Sequence, residues 1–516
     1  MKRIPHNGKF PLFPLLAVLY LCIFSFVSFR LYVRIGAFGC GDECINYAAG
    51  YFINSGKTLY NQIFFNHQPT LAYISAAIQQ ITHPADIYHL VLYHRLFVTA
   101  YALGMGIFLL WRFGLSAALF LLLYEGTKFY MYGYQFIGEA FIVYPVVYLA
   151  GVLWDSFGLK KISPADLYIA AISCSFVIWM REPYAPVAIV LLVSLLWRER
   201  KLHMARWAGA TALATVLLPF AFLPVGEYLY QVVVINMPAA GAVIGGGTLF
   251  SSLARSLLYP LTLFISGVWS YLRFIEIGLG VLFWSAFICW WRERKSLIQA
   301  GILFVVLMLS GIRTVPPGHM YFDAFHLLLW YALFIMVTVL FLTSIRNTQI
   351  RNALILLFAV FTAGAVFSPR AFVWERIDRQ SEFASQYAKY TQYAEAIRLI
   401  SRPTDTLFLD MWDDIIYWES HRQSSYPMSL YIPVEAGIPR YQALRATMFS
   451  QTPPDVYYSC PALQTSYNRL PEDVRATYVQ FLSLGKPGCL YVRRTRMQNI
   501  SADTWQQLGR LGIVRP

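Results

Sequence analysis

The chain has 516 residues, of which 58% are hydrophobic and 13% charged. A soluble domain carries about twice that charged share, and a soluble protein of this length could not hide so much apolar surface from water. The formal net charge is +14, but the basic residues sit in short clusters between apolar runs, so no nucleic-acid partner is expected; this is the pattern of loops in a polytopic membrane protein.

The first apolar stretch covers about residues 11–29. It follows Met1-Lys2-Arg3, and no small-residue cleavage site follows Phe29, which predicts a retained first helix. Further stretches lie at about 90–111, 115–133, 139–157, 165–180, 184–197, 207–224, 274–291, 296–312, 322–342 and 352–368, about eleven spans in all. With the N-terminus in the cytoplasm, the basic clusters at Lys2/Arg3/Lys9, Arg112, Lys160/Lys161, Arg198 to Arg206, Arg292 to Lys295 and Arg346/Arg351 share one side. The excess of positive charge on inner loops sets this orientation. An odd number of spans then places the C-terminus outside, in a cell inner or plasma membrane.

Two long segments fall on the outer side, at about 30–89 and 225–273, with amphipathic stretches at Asn46–Ile53, Leu71–Ile81 and Leu253–Tyr271. These predict helices lying in the outer interface. Charged and polar residues return from about 370, so the chain divides into a membrane domain, 1–369, and an outer domain, 370–516. In the latter, Ser381–Ile400 has helical spacing, Thr406–Asp410, Asp455–Ser459 and Cys489–Val492 are strand-like, and helical segments are expected near 436–450 and 471–484. Alternating strands and helices predict a small α/β domain with a parallel sheet. No internal repeat is visible, as it would be in a transporter of duplicated halves.

Asp42 and Glu43 stand in Gly-Cys-Gly-Asp-Glu-Cys just after the first helix. Taken locally, Asp42 could be the N-cap of a helix starting near Ile45. Next come Tyr47-Ala48-Ala49-Gly50, Ser55-Gly56-Lys57-Thr58-Leu59-Tyr60 and His67-Gln68-Pro69-Thr70-Leu71-Ala72-Tyr73. This order resembles the first outer loop of the GT-C class of glycosyltransferases that use polyprenyl-phosphate sugars, such as the protein O-mannosyltransferases and lipid A aminoarabinose transferases. Gln68 stands where that family has the first of two prolines, and Thr70 intervenes before Leu71. Arg95 at the second helix, Gly138-Glu139 before the fourth, and Arg313…Pro316-Pro317-Gly318-His319-Met320-Tyr321 before the tenth also match the family in layout.

The resemblance implies an inverting transfer. A lipid-linked sugar donor enters from the membrane, and a glycan, lipid or protein hydroxyl attacks its C1. Such chemistry needs one carboxylate as general base and cationic partners for the departing lipid phosphate. Asp42 is the expected base, with Glu43 orienting it and Glu139 the alternative. His67, Arg95, Lys128, Arg181, His319 and Tyr321 are the expected donor phosphate and sugar contacts. The competing structural readings are snorkelling for Arg95 and Arg181, ion pairs for Arg181-Glu182 and Glu125/Lys128, and a turn brace for His67. Isolated acids do not make a coordination sphere, so no metal residue is assigned and a divalent cation remains open. Asn236 and the Gly241 to Gly247 run read as loop or as a flap over the acceptor. The outer domain is expected to shape acceptor access. Rival functions are a lipid or glycan transporter or flippase, and a non-catalytic assembly protein. The seven cysteines contain no CxxC pair. Cys460 with Cys489 and Cys40 with Cys44 are candidate outer disulfides, against four free thiols.

Overall fold

The computed structural model describes residues 12–158, 162–199, 202–236, 271–313, 324–460 and 469–515. The stretch Leu253–Tyr271 is almost wholly outside these residues, and the Gly241 to Gly247 run is entirely so. Of the eleven expected spans, seven correspond to helices long and apolar enough to cross a membrane: Phe13–Val33, Ile87–Phe113, Gly138–Phe157, His203–Ala221, Arg273–Arg294, Phe325–Ser344 and Thr348–Phe367. The other four are shorter apolar helices, Leu115–Thr127, Pro164–Met180, Ala185–Arg198 and Leu297–Ser310. The chain is an integral membrane protein, mostly helical, with one small sheet.

The described residues form two compact units. The first draws on Met1–Ile35, Arg95–Phe222 and Ala240–Ile377, the second on Gly36–His94, Leu223–Ala239 and Asp378–Pro516. We label the early helices α1 (Leu12–Val33), α2 (Asp42–Asn54), α3 (Pro69–Thr82), α4 (Ile87–Phe113), α5 (Leu115–Thr127) and α6 (Gly138–Phe157).

In the first unit, α6 and Phe325–Ser344 are the most enclosed helices and form the core. Polar groups gather at the ends of α6. Near its C-terminal end, Arg112 bridges Asp155 at 3.1 Å and Asp166 at 2.9 Å, and Tyr148 donates to Asp166 at 2.8 Å. Asp166 is held there because Ser163 caps the helix Pro164–Met180, accepting from the Asp166 backbone N–H, with Pro164 at the first helical position. Glu139 stands at the other end of α6, about 24 Å away at 1.5 Å per residue. Between them the helix is lined with Val, Ala, Leu, Tyr and Phe.

The second unit ties three chain segments together. Gln231 accepts from the Phe65 backbone N–H at 2.9 Å and donates to the Tyr60 carbonyl at 2.7 Å, and Tyr228 donates to Gln68 at 3.1 Å. Lys57 donates to Ser429 at 2.8 Å, and the Phe64 N–H donates to the Met428 carbonyl at 2.8 Å. Burial pulls the Lys57 ammonium down to about 8.

The sheet of this unit has the order β2-β1-β3-β5-β4-β6, with β1 Thr406–Leu409, β2 Gln423–Ser424, β3 Val456–Tyr458, β4 Tyr478–Ser483, β5 Lys486–Arg493 and β6 Ile513–Val514. It is mixed, not parallel: β1 pairs in parallel with β2 and β3, while β3, β5, β4 and β6 run antiparallel. The helix expected near 471–484 is instead the short turn Glu472–Arg475 followed by β4. The aromatic and β-branched run from Thr477 favours strand, and Leu484 and Gly485, both at positive φ (50° and 76°), close a tight hairpin onto β5.

Cys40–Cys44 and Cys460–Cys489 are bridged, with Cα separations of 5.3 and 4.0 Å, and Cys22, Cys174 and Cys289 are free thiols. Non-reducing peptide mapping is therefore expected to recover two intramolecular bridges with these partners and three alkylatable thiols. Recovery of Cys40 or Cys460 as a free thiol contradicts it.

Candidate active site

Asp42 and Glu43 open α2 in the second unit. The residue before the helix is Gly41 at φ 39°, and no side chain caps the helix. Asp42 is thus its first helical residue and not the N-cap of a helix beginning near Ile45. The Cys40–Cys44 bridge closes around the pair, and the Glu43 N–H donates to the Cys40 carbonyl at 2.6 Å. Asp42 is exposed and Glu43 fully buried, so the two acids face different surroundings. His67, in the same unit, is half-buried before Pro69. Its carbonyl accepts from Tyr60 at 2.9 Å, and its ring meets Phe65 edge to face at 5.7 Å.

The remaining described candidates belong to the first unit. Arg95 is fully buried, donates to the Ile35 carbonyl, and lies over the Tyr134 ring at 5.0 Å. Lys128 sits 2.6 Å from Glu125, with Tyr144 donating to Glu125 at 2.6 Å. This is the i,i+3 ion pair that the spacing permits. His319 and Tyr321 lie outside the described residues.

Glu139 and Arg181 come together. The Arg181 Nε donates to Glu139 Oε1 at 2.8 Å, Arg313 approaches the same oxygen at 3.8 Å, and His326 Nδ1 lies 3.5 Å from it. All but Arg313 are buried. Gly138 makes the approach possible. A Cβ there would stand 2.8 Å from the Met180 carbonyl, closer than a real Cβ tolerates, and 3.2 Å from the Arg181 side chain, a tight contact. Tyr184 donates to the His326 carbonyl at 2.8 Å and fixes that strand of chain.

Within this cluster of four side chains, two guanidinium charges face one carboxylate. Charge-assisted hydrogen bonds from guanidinium groups are also the means by which a site holds an anion. The competing structural reading paired Arg181 with its neighbour Glu182; the fold gives Arg181 the long-range partner Glu139. Arg313 was named in the sequence only as the start of the motif before the tenth helix, with no role assigned, and His326 was not named. Their signal is an ionisable residue at each edge of the Pro316-Pro317 motif, His326 opening an apolar helix, where charge is costly and default to function.

A second acidic group follows β1. Arg445 donates to Asp410 at 2.6 Å and Tyr457 does so at 2.8 Å. Asp413 accepts from Lys389 at 3.0 Å and Tyr458 at 2.7 Å. Asp414 is buried, and burial together with the Asp413 charge holds its carboxyl well above the usual carboxylate range. Burial does the same to Glu435, which accepts from Tyr426 at 3.2 Å. Among the described residues no three His, Cys, Asp or Glu side chains are grouped to hold a metal ion.

No protein-family model matches the chain, and no curated protein does. Among solved structures, the fold is similar to that of ArnT from Cupriavidus metallidurans, crystallised bound to undecaprenyl phosphate. The TM-score is 0.53 at 12% sequence identity, and the match covers 93% of this chain and 97% of that one. The chain has a GT-C-like fold, the class expected from the first outer loop.

Two outcomes follow from these geometries. Glu139→Ala removes the buried carboxylate that Arg181 and Arg313 face, and thermal unfolding in detergent should show a loss of about 3–5 kcal/mol, with a smaller loss for Glu139→Gln. Equal stability of Glu139→Ala and the parent contradicts this. The raised carboxyls of Asp414 and Glu435 keep their protons in the folded chain above about pH 4, where the unfolded chain has released them. Their contribution to stability is therefore full below about pH 4 and falls as pH rises. Asp414→Asn should gain stability relative to the parent between pH 5 and pH 8, read as the difference between paired melting curves. A difference that does not change with pH contradicts it.

Proposed function

We propose that this protein is an inverting glycosyltransferase that moves a sugar from a polyprenyl-phosphate donor to an acceptor hydroxyl at the outer face of the membrane. The observation that carries the reading is the match over nearly the whole chain to the fold of ArnT, whose crystal structure holds undecaprenyl phosphate. The motif order of residues 42–73 supports it independently.

In this reading the acceptor oxygen forms a bond to C1 of the sugar while the bond from C1 to the phosphate oxygen breaks. Asp42 takes the hydroxyl proton, and the polyprenyl phosphate leaves as an anion. Asp42 suits the role because it is exposed on the first turn of a helix pinned by a disulfide. The buried Glu43 holds that turn. Arg181, Arg313 and His326, with His319 and Tyr321 from the intervening segment, are the proposed phosphate partners. The two guanidinium groups beside Glu139 support that assignment. Arg95, Lys128 and His67 shape the donor path. The N-terminus is cytoplasmic and the domain from about 370 faces outward, as the basic loops imply. The acceptor is a glycan, a lipid or a protein.

A general base contributes about 10²–10⁴-fold to rate. Asp42→Asn keeps the side-chain volume and cannot take a proton. In a purified transfer assay it is expected to fold, to retain donor lipid and to lose about that factor in turnover, while Glu43→Gln loses less. Near-parental turnover of Asp42→Asn would move the base to Glu139.

A further inference from the structure

An open groove of about 380 Å³ lies within the second unit. Its walls come from the end of α2 (Tyr51, Asn54), the end of α3 (Gln79, Gln80, His83) and the end of the helix Ile415–Ser420 (Trp418, His421). None of the described residues that line it carries a carboxylate, ammonium or guanidinium group. The lining is three amides, two imidazoles, a phenol, an indole and the ring of Pro84.

Two features show that these groups are held in place. Asn54 donates to the Ala76 carbonyl at 2.9 Å, and Gln79 donates to the Tyr47 carbonyl at 2.9 Å and to Ser75 at 3.0 Å, so both amides have a set orientation. His83 and His421 each terminate a helix in the left-handed region, at φ 43° and 55°. Glycine is the usual residue at such a position, and side chains with a Cβ adopt it uncommonly. Here both positions carry histidine, and both imidazoles line the same groove. Burial and the charges of Arg398 and Arg422 hold the His421 imidazole below its ordinary range, which keeps that wall uncharged at neutral pH.

We infer that this groove binds a neutral, hydroxyl-rich glycan segment. Asn54 and Gln80 each offer a carbonyl acceptor beside an N–H donor, the pairing that adjacent sugar hydroxyls require, while Gln79, whose two N–H groups are bonded within the fold, offers its carbonyl. The Trp418 and Tyr51 rings offer apolar surface for the C–H face of a sugar ring. A phosphate would find no cation among the lining residues, and an acyl chain would find mostly polar walls. The volume lies in the range of small-molecule sites, roughly 300–1,000 Å³. The groove's use as the acceptor site rests on the proposed transfer reaction; its glycan binding does not.

Saturation-transfer NMR on the full-length protein in nanodiscs tests this. The probes are neutral di- and trisaccharides of hexose and N-acetylhexosamine, each as the free sugar and as its octyl glycoside, with inorganic phosphate as the anionic control. Saturable transfer to the neutral sugars is expected. Equal signals from the two forms identify a free or polymeric glycan, and a stronger octyl glycoside signal identifies a lipid-linked one. The double variant Gln80→Ala/His421→Asn changes two exposed residues, and asparagine tolerates the left-handed backbone. It should keep the parental melting curve and bind about tenfold more weakly. No saturable signal from any sugar, preference for phosphate, or parental affinity in the folded double variant would overturn the inference. Mass spectrometry of lipid co-purifying with the parent protein tests the donor reading separately. Glycan binding without a polyprenyl-phosphate lipid would remove that reading and leave the groove standing.

Discussion

Burying an ionised carboxylate away from water costs several kcal/mol unless its partners are held against it, and Glu139 meets that demand at the head of α6. Arg181 arrives from the end of Pro164–Met180, Arg313 from just beyond Leu297–Ser310, and His326 from the start of Phe325–Ser344. One carboxylate therefore sets the level at which four helices begin or end. The steric notch at Gly138, where the Met180 carbonyl occupies the room of a side chain, makes the arrangement specific. At the far end of α6 the Arg112 cluster does the same for Asp155 and Asp166. A helix with charge clusters at both ends and apolar residues between them is the pattern of a membrane-spanning segment.

The second unit is built on a different constraint. Its acidic pair lies on a helix start closed by a disulfide, while the rest of its first segment is held by hydrogen bonds to residues far along the chain, Gln231, Tyr228, Ser429 and Met428 among them. The Gln231 and Met428 bonds satisfy backbone groups of Tyr60, Phe64 and Phe65 in an extended stretch, 60–68, that has little regular structure of its own; the other two join side chains. The motif Lys57…Tyr60…His67…Pro69 thus acts as a scaffold: Lys57 and Tyr60 make long-range ties, and Pro69 starts α3. Its spacing reflects packing as much as chemistry.

The long apolar helices were readable from hydropathy, because hydrocarbon thickness leaves a strong signal of length. The i,i+3 pair of Glu125 and Lys128 was readable for the same local reason. The shorter helices were less so: Leu115–Thr127 gives way at Lys128 to a tighter turn that carries this buried pair, an event that apolar content alone does not mark. In the C-terminal part of the chain, helix and strand compete over 471–484, and the cross-strand partners of β4 at Val492 and Tyr491 decide the outcome; such pairing is non-local. For the site, the acidic motif after the first helix was visible, whereas the convergence of Arg313 and His326 on Glu139 joins residues more than a hundred positions apart and has no spacing rule to reveal it.

The proposed reaction transfers sugar chemically from a lipid phosphate and does not carry it across the membrane. The most direct measurement uses purified protein in sealed proteoliposomes containing a polyprenyl-phosphate sugar with radiolabel in the sugar, with acceptor-bearing membrane extract outside and no nucleotide sugar. The account predicts that label appears on an acceptor with inverted anomeric configuration and that equimolar polyprenyl phosphate is released. Label that changes leaflet while remaining joined to its intact lipid would contradict it.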